Sequence, residues 1–127
     1  LLKNEYLLAQ IRYWLLAERT RKLCGTDIVT ILYFFSDEEE CPDCEKQAFV
    51  LTYLKKRFKD KLLIFSFDSK FEFEPMVPLL KKAYDITTYP TIVVEGKARS
   101  GFKDKNAILR EICSYYKEKT EDCIGVS

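Results

Sequence analysis

The segment DIVTILYFFSDEEECPDCEKQAFVLTYLKKRFKDKLLIFSF, residues 27–67, contains two apolar runs separated by a cysteine pair and a helical pattern. Residues 27–35 and 61–67 are rich in β-branched and aromatic residues, which is typical of strands buried on both faces. Between them, apolar residues recur at helical intervals over 41–59. Because a strand, a helix and a strand follow in order, the segment predicts a parallel strand pair joined by a right-handed crossover.

The rest of the chain predicts three further helices and one hairpin. Residues 3–23 have the apolar spacing of an amphipathic helix, which we expect to pack on the sheet. A short helix is predicted at 78–84. Residues 91–102 predict two short strands that turn at 95–97, and 105–119 predict a closing helix.

Composition and charge indicate one ordinary domain. The chain has 127 residues, of which 47% are hydrophobic, so it can bury a core without disulfides. It contains no internal repeat and no linker rich in Gly, Pro or Ser, which predicts a single domain over 1–127. Within it we expect an N-terminal helix in 1–25, a core in 27–119 and a tail in 120–127. The net charge of +1 gives no reason to expect nucleic-acid binding.

The chemistry of the chain is expected to depend on cysteine. Histidine is absent, which excludes Ser-His-Asp and Cys-His catalytic systems and histidine-ligated metals. If the helix begins at Cys41, Pro42 occupies its first turn and free backbone N–H groups can stabilise a Cys41 thiolate. We then expect Cys41 to be the more exposed, attacking thiol and Cys44 the more buried, resolving one. An inert disulfide and a metal site remain alternatives, although a closed zinc site needs four ligands.

Acidic residues surround this cysteine pair. Glu38, Glu39 and Glu40 precede Cys41, and Asp43 lies inside the motif. Because negative charge disfavours a nearby thiolate, these carboxylates should raise the pKa of Cys41 and offset part of the helix-terminus effect. A less stabilised thiolate corresponds to a more stable disulfide, so we expect a couple on the reducing side.

The order of strand, motif and helix, together with YDITTYPTIVVEGK at 84–97, resembles the thioredoxin superfamily over roughly residues 27–119. In that family an X-Pro bond, in the cis form, precedes a strand opposite the cysteine pair, and Tyr89-Pro90-Thr91 matches this element. The resemblance implies an α/β, thioredoxin-like fold with a central mixed β-sheet of about four strands flanked by helices. It also implies that the backbone at Tyr89 pairs with a substrate peptide while Pro90 packs against the disulfide.

The sequence departs from thioredoxins proper at three points. The family's first strand is absent, because the chain opens with a helix. The motif has Glu40 before the first cysteine and Pro42-Asp43 between the two, where thioredoxins have Trp and Gly-Pro. The buried acid of the central strand is replaced by Tyr33 or Phe34. These differences concern the redox potential and the proton route and leave the reaction class unchanged.

The sequence therefore predicts a thiol-disulfide oxidoreductase that needs neither cofactor nor metal. Cys41 would attack the substrate sulfur and Cys44 would resolve the mixed disulfide. The expected partners are protein disulfide or dithiol substrates and a redox partner protein, and the chain is expected to be a monomer. The alternative is a thioredoxin-fold binding or structural module whose cysteine pair is a permanent, non-catalytic disulfide.

Three cysteines outside the motif can form at most one internal bond. We expect Cys123 to pair with Cys113, by folding the tail back along the closing helix, or with Cys24 across the base of the domain; three reduced, buried thiols are the third alternative. A bond would favour an extracytoplasmic or membrane-tethered protein over a cytoplasmic one. Because the chain begins at Leu1, we expect it to be part of a longer polypeptide, with any membrane anchor outside this segment.

Overall fold

The computed structural model describes residues 2–24, 27–70, 76–118 and 120–125. Helices and strands alternate along most of the chain. In order they are helix α1 (Leu2–Cys24), strand β1 (Val29–Phe35), helix α2 (Cys44–Phe58), a 3-10 turn (Lys59–Lys61), strand β2 (Leu62–Asp68), helix α3 (Met76–Ala83), strand β3 (Thr91–Val94), strand β4 (Lys97–Ser100), helix α4 (Lys105–Tyr115) and a second 3-10 turn (Glu121–Cys123). None of the helices in these ranges is both long enough and apolar enough to cross a bilayer.

The four strands form one mixed sheet in the order β2-β1-β3-β4. Strand β1 pairs in parallel with β2, from Val29 opposite Leu62 to Phe35 opposite Asp68. On its other side β1 pairs antiparallel with β3, and β3 continues antiparallel into β4. This arrangement confirms the predicted mixed four-stranded sheet, including the parallel crossover and the hairpin.

The sheet separates two hydrophobic cores, and β1 contributes alternate side chains to each. Ile31 and Tyr33 face the core formed with α2 and α4, whereas Leu32 and Phe34 face the core that contains residues of α1 and α3. Each buried Leu, Ile or Phe side chain contributes roughly 1.5–3 kcal/mol of transfer free energy. Because both faces of β1 are covered, its sequence is continuously apolar rather than alternating.

Helix α1 covers one face of the sheet and part of an edge strand. Ile11 and Trp14 are buried in the second core, which confirms the predicted packing of this helix. The Gln10 side chain accepts a hydrogen bond from the Ser66 N–H at 3.0 Å and donates one to the Ser66 carbonyl at 2.9 Å. Because β2 is an edge strand, this amide satisfies backbone groups that a further strand would otherwise pair. In the described part of the chain, no strand precedes β1.

The closing helix ends earlier than predicted. Helix α4 stops at Tyr115 instead of reaching residue 119, and Tyr116 is extended. The Asp27 carboxylate accepts hydrogen bonds from the N–H groups of Lys117 and Glu118, at 3.0 and 3.2 Å. Those N–H groups are thereby diverted from helical bonding, so the chain leaves the helix and turns along the base of the sheet.

A disulfide joins Cys113 of α4 to Cys123, whose Cα atoms lie 5.6 Å apart. Both cysteines are buried, and the tail is also held by an ion pair at 2.9 Å between Arg57 and Asp122. Of the three expected alternatives, the pairing of Cys123 with Cys113 is confirmed, whereas its pairing with Cys24 and the set of three reduced thiols are wrong. The Cys24 side chain lies outside the described residues.

We predict that this disulfide is present in protein purified without reductant. Tryptic digestion should yield the Cys113 peptide linked to the Cys123 peptide, and mass spectrometry would identify the pair. Because the bond closes a loop with a sequence separation of 10, replacing both cysteines by serine should lower the free energy of unfolding by about 2–3 kcal/mol. Ser114→Ala, an exposed change on the same helix, serves as the control. An alkylatable Cys123 in unreduced protein would contradict the assignment.

Candidate active site

The loop of residues 36–43 carries the chain from the end of β1 to the start of α2. The Asp37 carbonyl accepts a hydrogen bond from the Cys41 N–H at 2.7 Å, and the Asp37 carboxylate accepts one from the Glu40 N–H at 3.0 Å. Short acidic side chains commonly stabilise tight turns in this way. The turn folds Cys41 back against the end of the central strand.

Helix α2 begins at Cys44, not at Cys41 as predicted. Asp43 occupies the cap position, and the first helical bond runs from the Gln47 N–H to the Asp43 carbonyl at 2.9 Å. The prediction was wrong because the Cys41 carbonyl accepts its bond from the Cys44 N–H at 3.3 Å, so Pro42 and Asp43 form a turn before i→i+4 bonding begins at Asp43. Cys44 consequently lies in the first turn of the helix, close to the positive end of its dipole.

Cys41 and Cys44 form a disulfide with Cα atoms 5.4 Å apart. Cys41 is 1% exposed and Cys44 is 6% exposed. The expectation that Cys41 would be the more exposed residue is therefore wrong for the disulfide form. The turn at Asp37 accounts for this burial, because it holds the Cys41 backbone against the protein.

Tyr33 lies beneath the cysteine pair. Its hydroxyl donates a hydrogen bond of 2.6 Å to the Cys44 carbonyl, and burial raises the pKa of Tyr33 to about 12. Phe34, the other candidate for the position of the buried acid, points into the opposite core. Of the two, Tyr33 thus occupies the site, where a protonated phenol acts as a hydrogen-bond donor rather than as a base.

An open cleft of about 370 Å³ adjoins the disulfide. The cleft is lined by apolar and polar side chains of β1, β2, the loop and α2. They are Tyr33, Phe35, Ser36, Glu38, Cys41, Cys44, Glu45, Ala48 and Ser66. Within the described residues, the Ser36 hydroxyl is buried and has no hydrogen-bond partner.

Gln47 fixes the first turn of α2 and was not identified from the sequence. Its fully buried amide accepts a hydrogen bond from the Lys103 N–H at 2.8 Å and donates one to the Lys103 carbonyl at 3.1 Å. These bonds tie the helix that carries Cys44 to the loop after β4. One signal could have revealed this role: Gln47 stands at helical spacing from Leu51 and Leu54, on the apolar face of the helix.

Tyr89-Pro90-Thr91 lies at the same edge of the sheet as the cysteine pair. Thr91 is paired with Phe34, one residue before the end of β1, so Pro90 stands beside the start of the cysteine loop. The Tyr89–Pro90 peptide bond is cis, as the resemblance implies. Pro90 is buried, and its carbonyl accepts a hydrogen bond from the Gly101 N–H at 2.9 Å.

Lys70 partly balances the acidic residues of the loop. Its ammonium group lies 3.2 Å from the Glu40 carboxylate and 3.8 Å from that of Asp37. The hydrogen bond and charge of Glu40 raise the pKa of Lys70. All three side chains are exposed, so the pairing is screened and contributes little to stability. Glu40 was identified from the sequence as one of the acids near Cys41, whereas Asp37 and Lys70 were not.

No protein-family model and no curated protein sequence matches the chain. Several solved structures are similar to it. An uncharacterised thioredoxin-like protein from Clostridium perfringens is 29% identical with a TM-score of 0.58, over 75% of this chain and 77% of that one. Thioredoxin-2 of the malaria parasite is 21% identical with a TM-score of 0.56, over 67% and 81%. A thioredoxin from Thermus thermophilus is 20% identical with a TM-score of 0.52, over 76% and 78%. The chain therefore has a thioredoxin-like fold, and it carries a Cys-x-x-Cys pair joined as a disulfide.

We predict that Tyr33 makes the protein less stable in alkali. Its pKa is raised from 10.0 to about 12 in the folded chain, so between these values only the unfolded chain loses the phenolic proton. The free energy of unfolding must therefore fall as the pH rises through this window. In Tyr33→Phe that fall should be smaller, as measured by urea denaturation at about pH 9 and about pH 11. Tyr13→Phe, at an exposed tyrosine, is the control, and an unchanged fall in Tyr33→Phe would contradict the assignment.

Proposed function

We propose that this thioredoxin-fold chain exchanges disulfides with protein substrates through Cys41 and Cys44. The observation that carries the proposal is a disulfide between these two residues at the end of the central strand, where the cis Tyr89–Pro90 bond also lies. Two cysteines this close in sequence can open and close their bond with little backbone change. No cofactor is required, because the Cys41 and Cys44 sulfurs themselves accept and donate the two electrons.

In the reducing direction, the Cys41 thiolate attacks one sulfur of the substrate disulfide. A Cys41–substrate bond forms, and the other substrate sulfur leaves as a thiolate. Cys44 then loses its proton and attacks the Cys41 sulfur, which re-forms the Cys41–Cys44 bond and releases the second substrate thiolate. Two electrons pass to the substrate, and the reverse sequence oxidises a substrate dithiol.

The burial of Cys41 adds a requirement to this mechanism. At 1% exposure in the disulfide form, its sulfur must become accessible before another thiolate can contact it. The turn held by the Asp37–Cys41 hydrogen bond is the segment that has to move. Tyr89, Pro90 and Thr91 stand at the end of the sheet that carries the cysteine loop. In this proposal the Tyr89 backbone pairs with the substrate peptide and Pro90 packs against the disulfide.

The same burial favours a second candidate function. A disulfide whose two cysteines are 1% and 6% exposed is also what a permanent structural bond would show. In that case the chain would be a thioredoxin-fold binding or structural module. The two functions differ in one measurable property, which is whether the pair exchanges with external thiols while the protein stays folded.

We predict that the protein accelerates the reduction of insulin by dithiothreitol. Cys41→Ser should abolish the acceleration, because no nucleophile remains to attack the substrate. Cys44→Ser should instead accumulate a mixed disulfide, which mass spectrometry detects as an adduct. Cys24→Ser, at a cysteine outside the motif, is the matched control and should retain activity. No acceleration by the wild-type protein would favour the structural module.

We further predict that the acidic residues before Cys41 slow its reaction with alkylating agents. Changing Glu38, Glu39 and Glu40 to glutamine should increase the alkylation rate of reduced Cys41 at neutral pH by about threefold, since screened carboxylates disfavour the thiolate modestly. A control triple variant removes the same charge at exposed acids distant in sequence from the motif, namely Asp60, Glu118 and Glu121. Equal rates in the two triple variants would show that these acids do not act on Cys41.

A further inference from the structure

Within the part of the chain that the structure describes, the buried hydroxyl of Ser36 beside the disulfide has no hydrogen-bond partner. Ser36 directly follows β1, is 7% exposed, and lines the cleft shared by Cys41 and Cys44. Its Oγ contacts no donor or acceptor among the described protein atoms. A buried hydroxyl without a partner destabilises the state in which it is found, so a second state in which the hydroxyl is paired would be favoured by comparison.

The local geometry places Ser36 on the Cys41 side of the cleft. The carbonyl of Asp37, the next residue, accepts a hydrogen bond from the Cys41 N–H at 2.7 Å. On the other side, the Tyr33 hydroxyl is committed to the Cys44 carbonyl. Ser36 and Cys41 line the same cleft and are joined by the Asp37 turn, while the Ser36 hydroxyl has no partner among the described residues.

We propose that Ser36 donates a hydrogen bond to the Cys41 thiolate of the reduced protein. The inference rests on the proposed function, because it concerns the state that attacks substrate. A disulfide sulfur is a weak acceptor, whereas a thiolate is a charged one, and hydrogen bonds to charged groups are the stronger class. Reduction thus gives the buried hydroxyl a charged acceptor, whereas in the disulfide form it has no partner among the described residues.

Reduction of the Cys41–Cys44 disulfide by glutathione is a two-electron reaction. Two molecules of reduced glutathione supply two electrons and two protons, and they leave as oxidised glutathione. The Cys41–Cys44 bond breaks, Cys44 takes up one of the two protons, Cys41 becomes a thiolate, and the second proton enters solvent. A hydrogen bond from Ser36 favours the reduced side of this equilibrium and makes the disulfide a better oxidant.

Several charged groups also act on the Cys41 thiolate. Glu38 and Glu45 line the cleft and disfavour the thiolate, whereas Lys70, which is paired with Glu40 and Asp37, reduces the effect of those two acids. Tyr33 stays neutral across the pH range in which thiols titrate, because burial raises its pKa to about 12. Ser36 therefore opposes the acidic residues, and its effect can be measured separately because its substitution changes no charge.

The test uses Ser36→Ala, with Ser69→Ala as the matched control. Ser69 is also buried, and its Oγ also lacks a described partner, but Ser69 does not line the cleft. In Ser36→Ala, the pKa of Cys41, read from the pH dependence of alkylation, should rise by about half a unit to one unit. At a fixed pH below this pKa, the thiolate fraction should therefore fall about three- to tenfold. Equilibration with glutathione should shift three- to tenfold toward the disulfide, where tenfold corresponds to about 30 mV. Ser69→Ala should change neither quantity.

Ser36→Thr, which keeps a hydroxyl, should restore both values toward those of the wild type. Unchanged alkylation and unchanged equilibrium in Ser36→Ala would overturn the proposal, as would equal changes in Ser69→Ala. These readouts need no protein substrate. If insulin reduction fails while Ser36→Ala shifts the pKa, the proposed function is wrong and the hydrogen bond stands.

Discussion

The pairing of strand β1 on both of its edges is the constraint on which the site depends. β1 is parallel to β2 and antiparallel to β3, and its side chains alternate between two cores. The cysteine loop therefore follows β1 at the end of the sheet where Pro90 precedes Thr91, the first residue of β3. Residue alternation along the same strand directs Tyr33 toward Cys44. The alternation of β1 thus places the Tyr33 hydroxyl beside the disulfide and Phe34 in the opposite core.

Most of the fold could be predicted because apolar periodicity depends on local sequence. The two buried runs, the helical spacing between them and the turn at 95–97 all appear where they were expected. The errors lie at element ends, where groups outside the local pattern compete for backbone N–H groups. Asp27 accepts hydrogen bonds from the N–H groups that would have extended α4. At the start of α2, the Cys41 carbonyl is used in a turn with the Cys44 N–H instead of in a helical bond. Contacts over 90 residues of sequence cannot be read from periodicity.

The site was predictable in its residue types but not in its packing. Motif spacing and the resemblance identified Cys41, Cys44 and the cis bond before Pro90. The burial of Cys41 and the amide bridge from Gln47 to Lys103 depend on how the loop and helices settle on the sheet. The local sequence gives only weak indications of this burial and of this bridge. The disulfide between Cys113 and Cys123 was expected as one of several alternatives, because an odd number of cysteines leaves the partner open.

The central claim is that Cys41–Cys44 is a reversible redox couple in a folded protein. Equilibration in dithiothreitol or glutathione buffers, followed by acid quenching, alkylation and mass spectrometry, measures the reduced fraction of each disulfide. We expect one two-electron transition of Cys41–Cys44 between roughly −180 and −270 mV, with circular dichroism unchanged and Cys113–Cys123 still oxidised. A Cys41–Cys44 bond that stays oxidised down to about −300 mV, or that opens only as the protein unfolds, would show that the pair is a structural disulfide.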